Sequence, residues 1–193
     1  SPEECRELLL KSFNEIDIDD IFKATLEAQN KIEDYSLERK QIIPKVQVPF
    51  YDDLWDLLPE EMQWSSHTWP TLDRIICAGN DQERYWLGEC LKSMKEKGFI
   101  DKKEYWDRLE TEADVIDDIG GKLEDCLFAY FNTFKHYIDL FWDCGSIVGP
   151  GRGSATGFLS NYLLGITQLD PVRWKLPYWR FLNKERAELP DID

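Results

Sequence analysis

Cys144-Gly145-Ser146-Ile147-Val148-Gly149-Pro150-Gly151-Arg152-Gly153-Ser154 is the stretch on which the fold turns. Its first five residues read as a short buried strand, the next six as a glycine loop, and Ala155 to Ile166 as a helix. Strand, glycine loop and helix in that order make a phosphate-binding arrangement. Glycines let backbone N–H groups converge on an anion, and a helix N-terminus adds its partial positive charge. Arg152 offers a bidentate phosphate contact, and Ser154 a hydroxyl or an N-cap. The spacing is not that of a Walker loop, because no Lys precedes Ser154, nor of a dinucleotide fingerprint, because Ser154 stands where the third glycine belongs. A glycine-rich turn capping a helix is the plainer reading of the same residues.

Downstream, Asp191-Ile192-Asp193 sets two carboxylates on one face of an expected strand, roughly 6 to 7 Å apart at the Cα atoms, with Ile192 turned to the core. Such a pair can bridge divalent cations, and paired Mg²⁺ ions about 4 Å apart stabilise attacking and leaving oxygens in phosphoryl or nucleotidyl transfer. Asp17-Ile18-Asp19 repeats the pattern at an expected turn, so the tripeptide alone also reads as a solvated turn or cap. Between loop and pair lie Arg173, Lys175, Arg180 and Arg186, either a solvated face or a clamp for phosphate. Cradle, clamp and carboxylates in order within 45 residues are the parts of nucleotidyl transfer.

Charge divides the chain in the same place. The net charge is -15. Residues 144–193 hold six basic residues, with Arg152 and Lys184 joining the four above, against five acids, Asp170, Glu185, Glu188, Asp191 and Asp193. That segment is at +1, and residues 1–143 are at -16. A surface that is basic throughout is excluded, so any grip on a polyanion must be local. Cys5, Cys77, Cys90, Cys126 and Cys144 form no C-x-x-C pair, which favours reduced thiols in a cytosolic protein over a disulfide scaffold or zinc site. With His67 and His136 as the two histidines, a histidine-rich metal centre is disfavoured as well. The longest apolar run, Cys126 to Phe131, is far too short to span a membrane. The acidic N-terminus does not read as a signal peptide.

Upstream, Ser1-Pro2-Glu3-Glu4 reads as an N-cap, a first-turn proline and a capping-box glutamate for a helix carrying Leu8, Leu9 and Phe13. Asp20 is expected to cap a second helix with Ile21, Leu26, Ala28 and Ile32, fading into the polar stretch Glu33 to Ser36. Two prolines in Ile42 to Pro49 favour an extended linker and a domain seam. Residues 50–80, with Trp55, Trp64, Trp69, Pro59 and Pro70, suggest short helices and loops. Three longer helices follow: Asp81 to Lys97, closed by Gly98; one begun by an Asp101/Glu104 capping box and ended at Gly120-Gly121; and about Lys122 to Asp143.

In order and spacing, Ile147-Val148 and the glycine loop to Ala155, Tyr162-Leu163-Leu164-Gly165-Ile166-Thr167, Leu169-Asp170-Pro171, Arg180-Phe181-Leu182-Asn183, Glu185-Arg186 and Pro190 to Asp193 resemble the alpha subunit of bacterial DNA polymerase III, a C-family replicative polymerase. Thr25-Leu26-Glu27-Ala28 with Ile43-Pro44-Lys45-Val46 resembles the exit from that family's polymerase-and-histidinol-phosphatase domain. Asp107 to Ile119 resembles the helix that introduces its palm. The resemblance implies an α+β fold, a helical approach segment leading into the first part of a polymerase-beta-like nucleotidyltransferase palm. It implies the tail of that upstream domain and a linker in residues 1–45, the helical N-terminal part of the palm region in 46–143, and an incomplete catalytic core segment in 144–193.

The same resemblance makes Asp191 and Asp193 catalytic metal ligands for Mg²⁺, with two ions in the complete site. It assigns the incoming nucleotide's triphosphate to Gly151, Arg152, Gly153, Ser154, Arg180 and Arg186. Deoxynucleotide, primer-template DNA and replisome subunits become the partners, with no membrane, in the cytoplasm of a bacterium or a phage-infected bacterial cell. Two residues depart from the pattern: Lys184 where Pro is usual, and Phe158 where a small residue is usual. A third catalytic aspartate, thumb and fingers are expected past Asp193, and a metal-binding part of the upstream domain before Ser1. The chain alone is therefore expected to be inactive, its ends set by a cloning boundary, a split gene or an intein junction, with the remaining segments on another chain in the latter cases. A metal-dependent nucleotide-sugar transferase and a non-catalytic acidic helical interaction module are the alternatives.

Overall fold

Residues 1–33, 42–59, 68–186 and 188–192 are described by the computed structural model of the chain, which divides into the units Ser1–Lys40 and Gln41–Asp193. Trp64, His67 and Asp193, and the stretch from Asp34 to Ser36, lie outside the described residues.

The first unit holds α1 (Pro2–Leu9) and α2 (Glu15–Gln29). The expected capping box is made: Ser1 Oγ accepts the Glu4 N–H at 3.3 Å, and the Glu4 carboxylate takes the Ser1 amine at 2.6 Å. The second helix begins earlier than expected. Asn14, not Asp20, caps it by accepting the Asp17 N–H at 3.0 Å, which puts Asp17-Ile18-Asp19 inside the helix rather than at a turn. Glu15 and Asp17 in its first turn suit the positive end of the helix dipole. Arg6 pairs across to Asp19 at 2.7 Å and Glu15 at 3.5 Å.

The second unit opens with an irregular strap from Ile42 to Phe50, as its prolines require. Thr133 Oγ1 donates to the Pro44 carbonyl at 3.0 Å and Gln82 Nε2 to the Val46 carbonyl at 2.8 Å, holding the strap on two helices. After a 3₁₀ turn at Trp55–Leu57 come α3 (Pro70–Ala78), α4 (Asp81–Glu96), α5 (Lys103–Leu123) and α6 (Phe128–Asp143). Helix α4 spans the expected stretch and Gly98 follows it at φ +69°; a capping box of Asn80 and Glu83, not read from the sequence, starts it. Helix α5 departs from its sequence signals. Lys102 precedes it with no side-chain cap, and the helix runs through Gly120-Gly121 to Leu123, turning at Glu124 with φ +55°. Gly120 serves a close approach instead, because a Cβ there would sit 2.8 Å from the Asp125 carbonyl oxygen. The 124–127 turn so formed delays α6 from the expected Lys122 to Phe128.

Trp86, Leu87, Leu91 and Met94 from α4, Trp106 and Leu109 from α5, and Phe128 and Phe131 from α6 fill the core. Each such side chain contributes about 1.5–3 kcal/mol by leaving water. Phe158 is 0% exposed, with its ring 5.9 Å from that of Phe131 and 5.0 Å from that of Phe181.

The strands expected at Cys144 to Val148 and before Asp193 do not form among the described residues. Cys144 caps α6, Gly145 turns at φ +75°, and the Gly145 and Ser146 amides close onto Trp142 and Phe141 carbonyls, which leaves Ile147 94% exposed in irregular backbone. A strand needs a neighbour to take its backbone hydrogen bonds. Among the described residues there is none, and the one isolated bridge joins Asn183 and Arg186. Residues 188–192, expected as strand, are irregular too. The chain is mostly helical. The single helix expected from Ala155 to Ile166 is broken into a 3₁₀ turn, Gly153–Gly157, and a short α7 (Leu159–Leu163), because Phe158 is extended. No described helix is long and apolar enough to cross a membrane.

Candidate functional site

The glycine loop is built from backbone positions that ordinary residues avoid. Gly151 and Gly153 sit at φ +103° and +65°, and a Cβ on Gly151 would meet Thr167 Cγ2 at 2.8 Å. The Gln168 N–H donates to the Pro150 carbonyl at 2.9 Å, and Thr156 Oγ1 to the Gly153 carbonyl at 2.9 Å. Ser154 lies within the 3₁₀ turn and no side chain caps it, so the expected helix-dipole cradle is corrected. The loop brings Ser154 to the wall of a cleft.

The structure gathers some of the candidates and separates others. Ser154, Arg180, Arg186 and Asp191 line one cleft of about 470 Å³, together with Trp179 and Asn183. Gly153, Ser154 and Arg180 also share a small adjoining recess of about 60 Å³. Gly151 and Arg152 face elsewhere, lining an apolar groove of about 930 Å³ with Phe134, Tyr137, Ile147 and Ile192. Arg186 is engaged within the cleft: its Nε and Nη2 reach the Glu188 carboxylate at 2.7 and 2.5 Å. Arg180, carried by the 3₁₀ turn Tyr178–Arg180, is exposed.

Asp191 is exposed at the cleft wall, and no hydrogen bond or ion pair among the described residues engages its carboxylate. Its approach is fixed from below. The buried Tyr130 hydroxyl donates to the Pro190 carbonyl at 2.5 Å, and burial, with a smaller push from the Asp191 charge, raises that phenol to about 12. No group of three or more metal-ligating side chains occurs among the described residues.

Residues that sequence reading passed over matter as much. Arg108 and Glu112 of α5 reach the glycine turn and α7, Arg108 bonding the Gly157 carbonyl and Glu112 the Leu159 N–H. Their signal was a glutamate set in the apolar stripe of Leu109, Ala113 and Ile116, with an arginine one turn ahead.

A helical chain whose glycine turn, arginine turn and aspartate converge on one cleft belongs to the bacterial DNA polymerase III alpha family, whose NTPase-domain model matches residues 82–193. The chain is 33% identical over 191 residues to the probable DNA polymerase YorL of Bacillus subtilis (strain 168), covering 91% of this chain and 14% of that protein. The DNA-directed DNA polymerase of Bacillus phage SPbeta matches to the same extent. DNA polymerase III subunit alpha of Aquifex aeolicus (strain VF5) is 44% identical over 93 residues, 48% of this chain and 8% of that protein. The chain thus spans about a seventh or less of the length of these relatives.

Proposed function

We propose that the chain supplies part of the nucleotide site of a replicative DNA polymerase, which joins a deoxynucleotide to a primer 3′-hydroxyl as a template directs. The hydroxyl oxygen bonds the alpha phosphorus and pyrophosphate leaves. The observation that carries this reading is the convergence of Ser154, Arg180 and Asp191 on one cleft, in a chain of the DNA polymerase III alpha family. Arg180 presents a planar fork suited to phosphate oxygens, Ser154 adds a hydroxyl, and Arg186, tethered by Glu188, adds a second cation at the rim.

The unengaged Asp191 carboxylate fits a hard cation. Asp191 and Asp193 would hold Mg²⁺, two ions in the complete site, and the metal would supply charge stabilisation to the transferring phosphoryl group. Gly151, at φ +103°, shapes the loop that carries Ser154 into the cleft, while Arg152, expected at the triphosphate, lines the separate apolar groove. In the whole enzyme, residues 144–193 form the first part of a polymerase-beta-like palm, 46–143 its helical approach and 1–45 the tail of the preceding domain. Primer-template DNA and replisome subunits are its partners, in the cytoplasm.

Asp191→Asn in the full-length polymerase is expected to cut single-nucleotide primer extension by about 10²–10³ or more, with primer-template binding retained. Extension at wild-type rate would overturn the proposal.

A further inference from the structure

Helix α5 carries two glutamates that cap neighbouring helices, and they differ in what they hold. Glu110 accepts the Thr71 and Leu72 N–H groups at 2.9 and 3.0 Å, closing the start of α3 away from the cleft. Glu112 is 0% exposed. Its Oε1 accepts the Leu159 N–H at 2.6 Å and Arg108 Nε–H at 2.7 Å, and its Oε2 the Ser160 N–H at 2.8 Å. The Arg108 guanidinium then bridges two segments of the cleft. Its Nη2 donates to the carbonyls of Gly157, at 2.5 Å, and Leu176, at 2.9 Å, and its carbon lies 5.2 Å over the Tyr178 ring. Gly157 ends the turn that carries Gly153 and Ser154, and Tyr178 begins the turn that carries Arg180. The two segments touch backbone to backbone, since a Cβ on Gly157 would lie 2.8 Å from the Pro177 carbonyl oxygen.

A buried ion pair is a poor way to gain stability, because desolvation consumes much of the attraction. Its strength is geometry: a fork and a carboxylate fix the spacing of every group they bond. We infer that Arg108 and Glu112 are positioning residues for the nucleotide, tying the Ser154 turn to the Arg180 turn so that both meet one triphosphate. This deepens the proposed function and rests on it. Neither residue touches the nucleotide, so their effect is on its affinity rather than on the grip on DNA.

The test is deoxynucleotide affinity in the full-length polymerase, measured by titration on a bound, chain-terminated primer-template, for wild type, Glu112→Gln, Arg108→Lys and Glu110→Gln. Thermal unfolding and primer-template affinity are read alongside. Glu112→Gln and Arg108→Lys are expected to weaken deoxynucleotide binding about tenfold while leaving primer-template affinity within about twofold. Glu110→Gln, which removes a cap of the same kind remote from the cleft, is expected to lower the unfolding temperature and leave deoxynucleotide affinity within about twofold. Should Glu112→Gln fail to fold, Arg108→Lys decides, because it keeps the charge beside Glu112 and loses the fork. Wild-type affinity in the folded variants, or losses that follow unfolding temperature equally in Glu110→Gln, would overturn the inference alone. A wild-type enzyme that binds no deoxynucleotide would overturn the proposed function and the inference together.

Discussion

Glu112 is the residue at which stability and site construction meet. Burial pushes its carboxyl above the ordinary glutamate range, while the Arg108 charge and the Leu159 and Ser160 amides pull it back. Deleting its side chain takes the counter-charge from the half-buried Arg108, which keeps its carbonyl acceptors, a loss of about 1–3 kcal/mol. Because the folded-state pKa is raised, the folded protein binds this proton more tightly than the unfolded chain. The group's contribution to stability is therefore complete below the ordinary glutamate range and declines as pH rises, until the raised folded value is passed. Denaturant unfolding of wild type and Glu112→Gln, begun at about pH 4 and carried upward, is expected to show the wild-type advantage shrinking with pH. An advantage that grows with pH would contradict this assignment.

At the scale of elements, helices with local signals were legible and pairings that depend on distant chain were not. The Ser1/Glu4 box and the Gly98 stop are encoded within a few residues and were read from them, whereas the equally local Asn80/Glu83 box was passed over. The Asp101/Glu104 box was a false signal, since Lys102 leads into α5 with no side-chain cap. Gly120 misled for a different reason: it answers the returning Asp125 backbone, a contact no local pattern reports. Ile147-Val148 has strand composition but no partner among the described residues, so composition alone could not make it a strand. Phe158 shows the same lesson in the core. Its ring, where the resemblance implied a small residue, sits between Phe131 and Phe181, and the extended Phe158 backbone ends the 3₁₀ turn. Phe158→Ala is expected to cost about 3–5 kcal/mol in denaturant unfolding. A cost below about 1 kcal/mol would contradict the place given to Phe158 in the core between Phe131 and Phe181.

Across the whole molecule, the charge asymmetry read from sequence acquires a location. The segment at +1 carries the cleft, which Arg180 and Arg186 line together with Glu188 and Asp191, while the acidic excess lies in residues 1–143. Of the candidate residues, Ser154, Arg180, Arg186 and Asp191 converge, Gly153 borders the adjoining recess, and Gly151 and Arg152 line a different groove. Motif order in the sequence could list these residues but not sort them, because the sorting depends on the three-dimensional course of a loop with left-handed backbone at Gly151 and Gly153. Arg108 and Glu112 escaped because their role lies in carbonyls and amides some 45 to 70 positions away.

The site of triphosphate binding decides the role of the cleft. The most direct measurement is a structure of the full-length polymerase with primer-template, Mg²⁺ and an incoming deoxynucleotide. It is predicted to place triphosphate oxygens within hydrogen-bond distance of Ser154 and Arg180, with Asp191 beside the alpha phosphate. A triphosphate seated elsewhere, out of reach of both Ser154 and Arg180, would contradict that role.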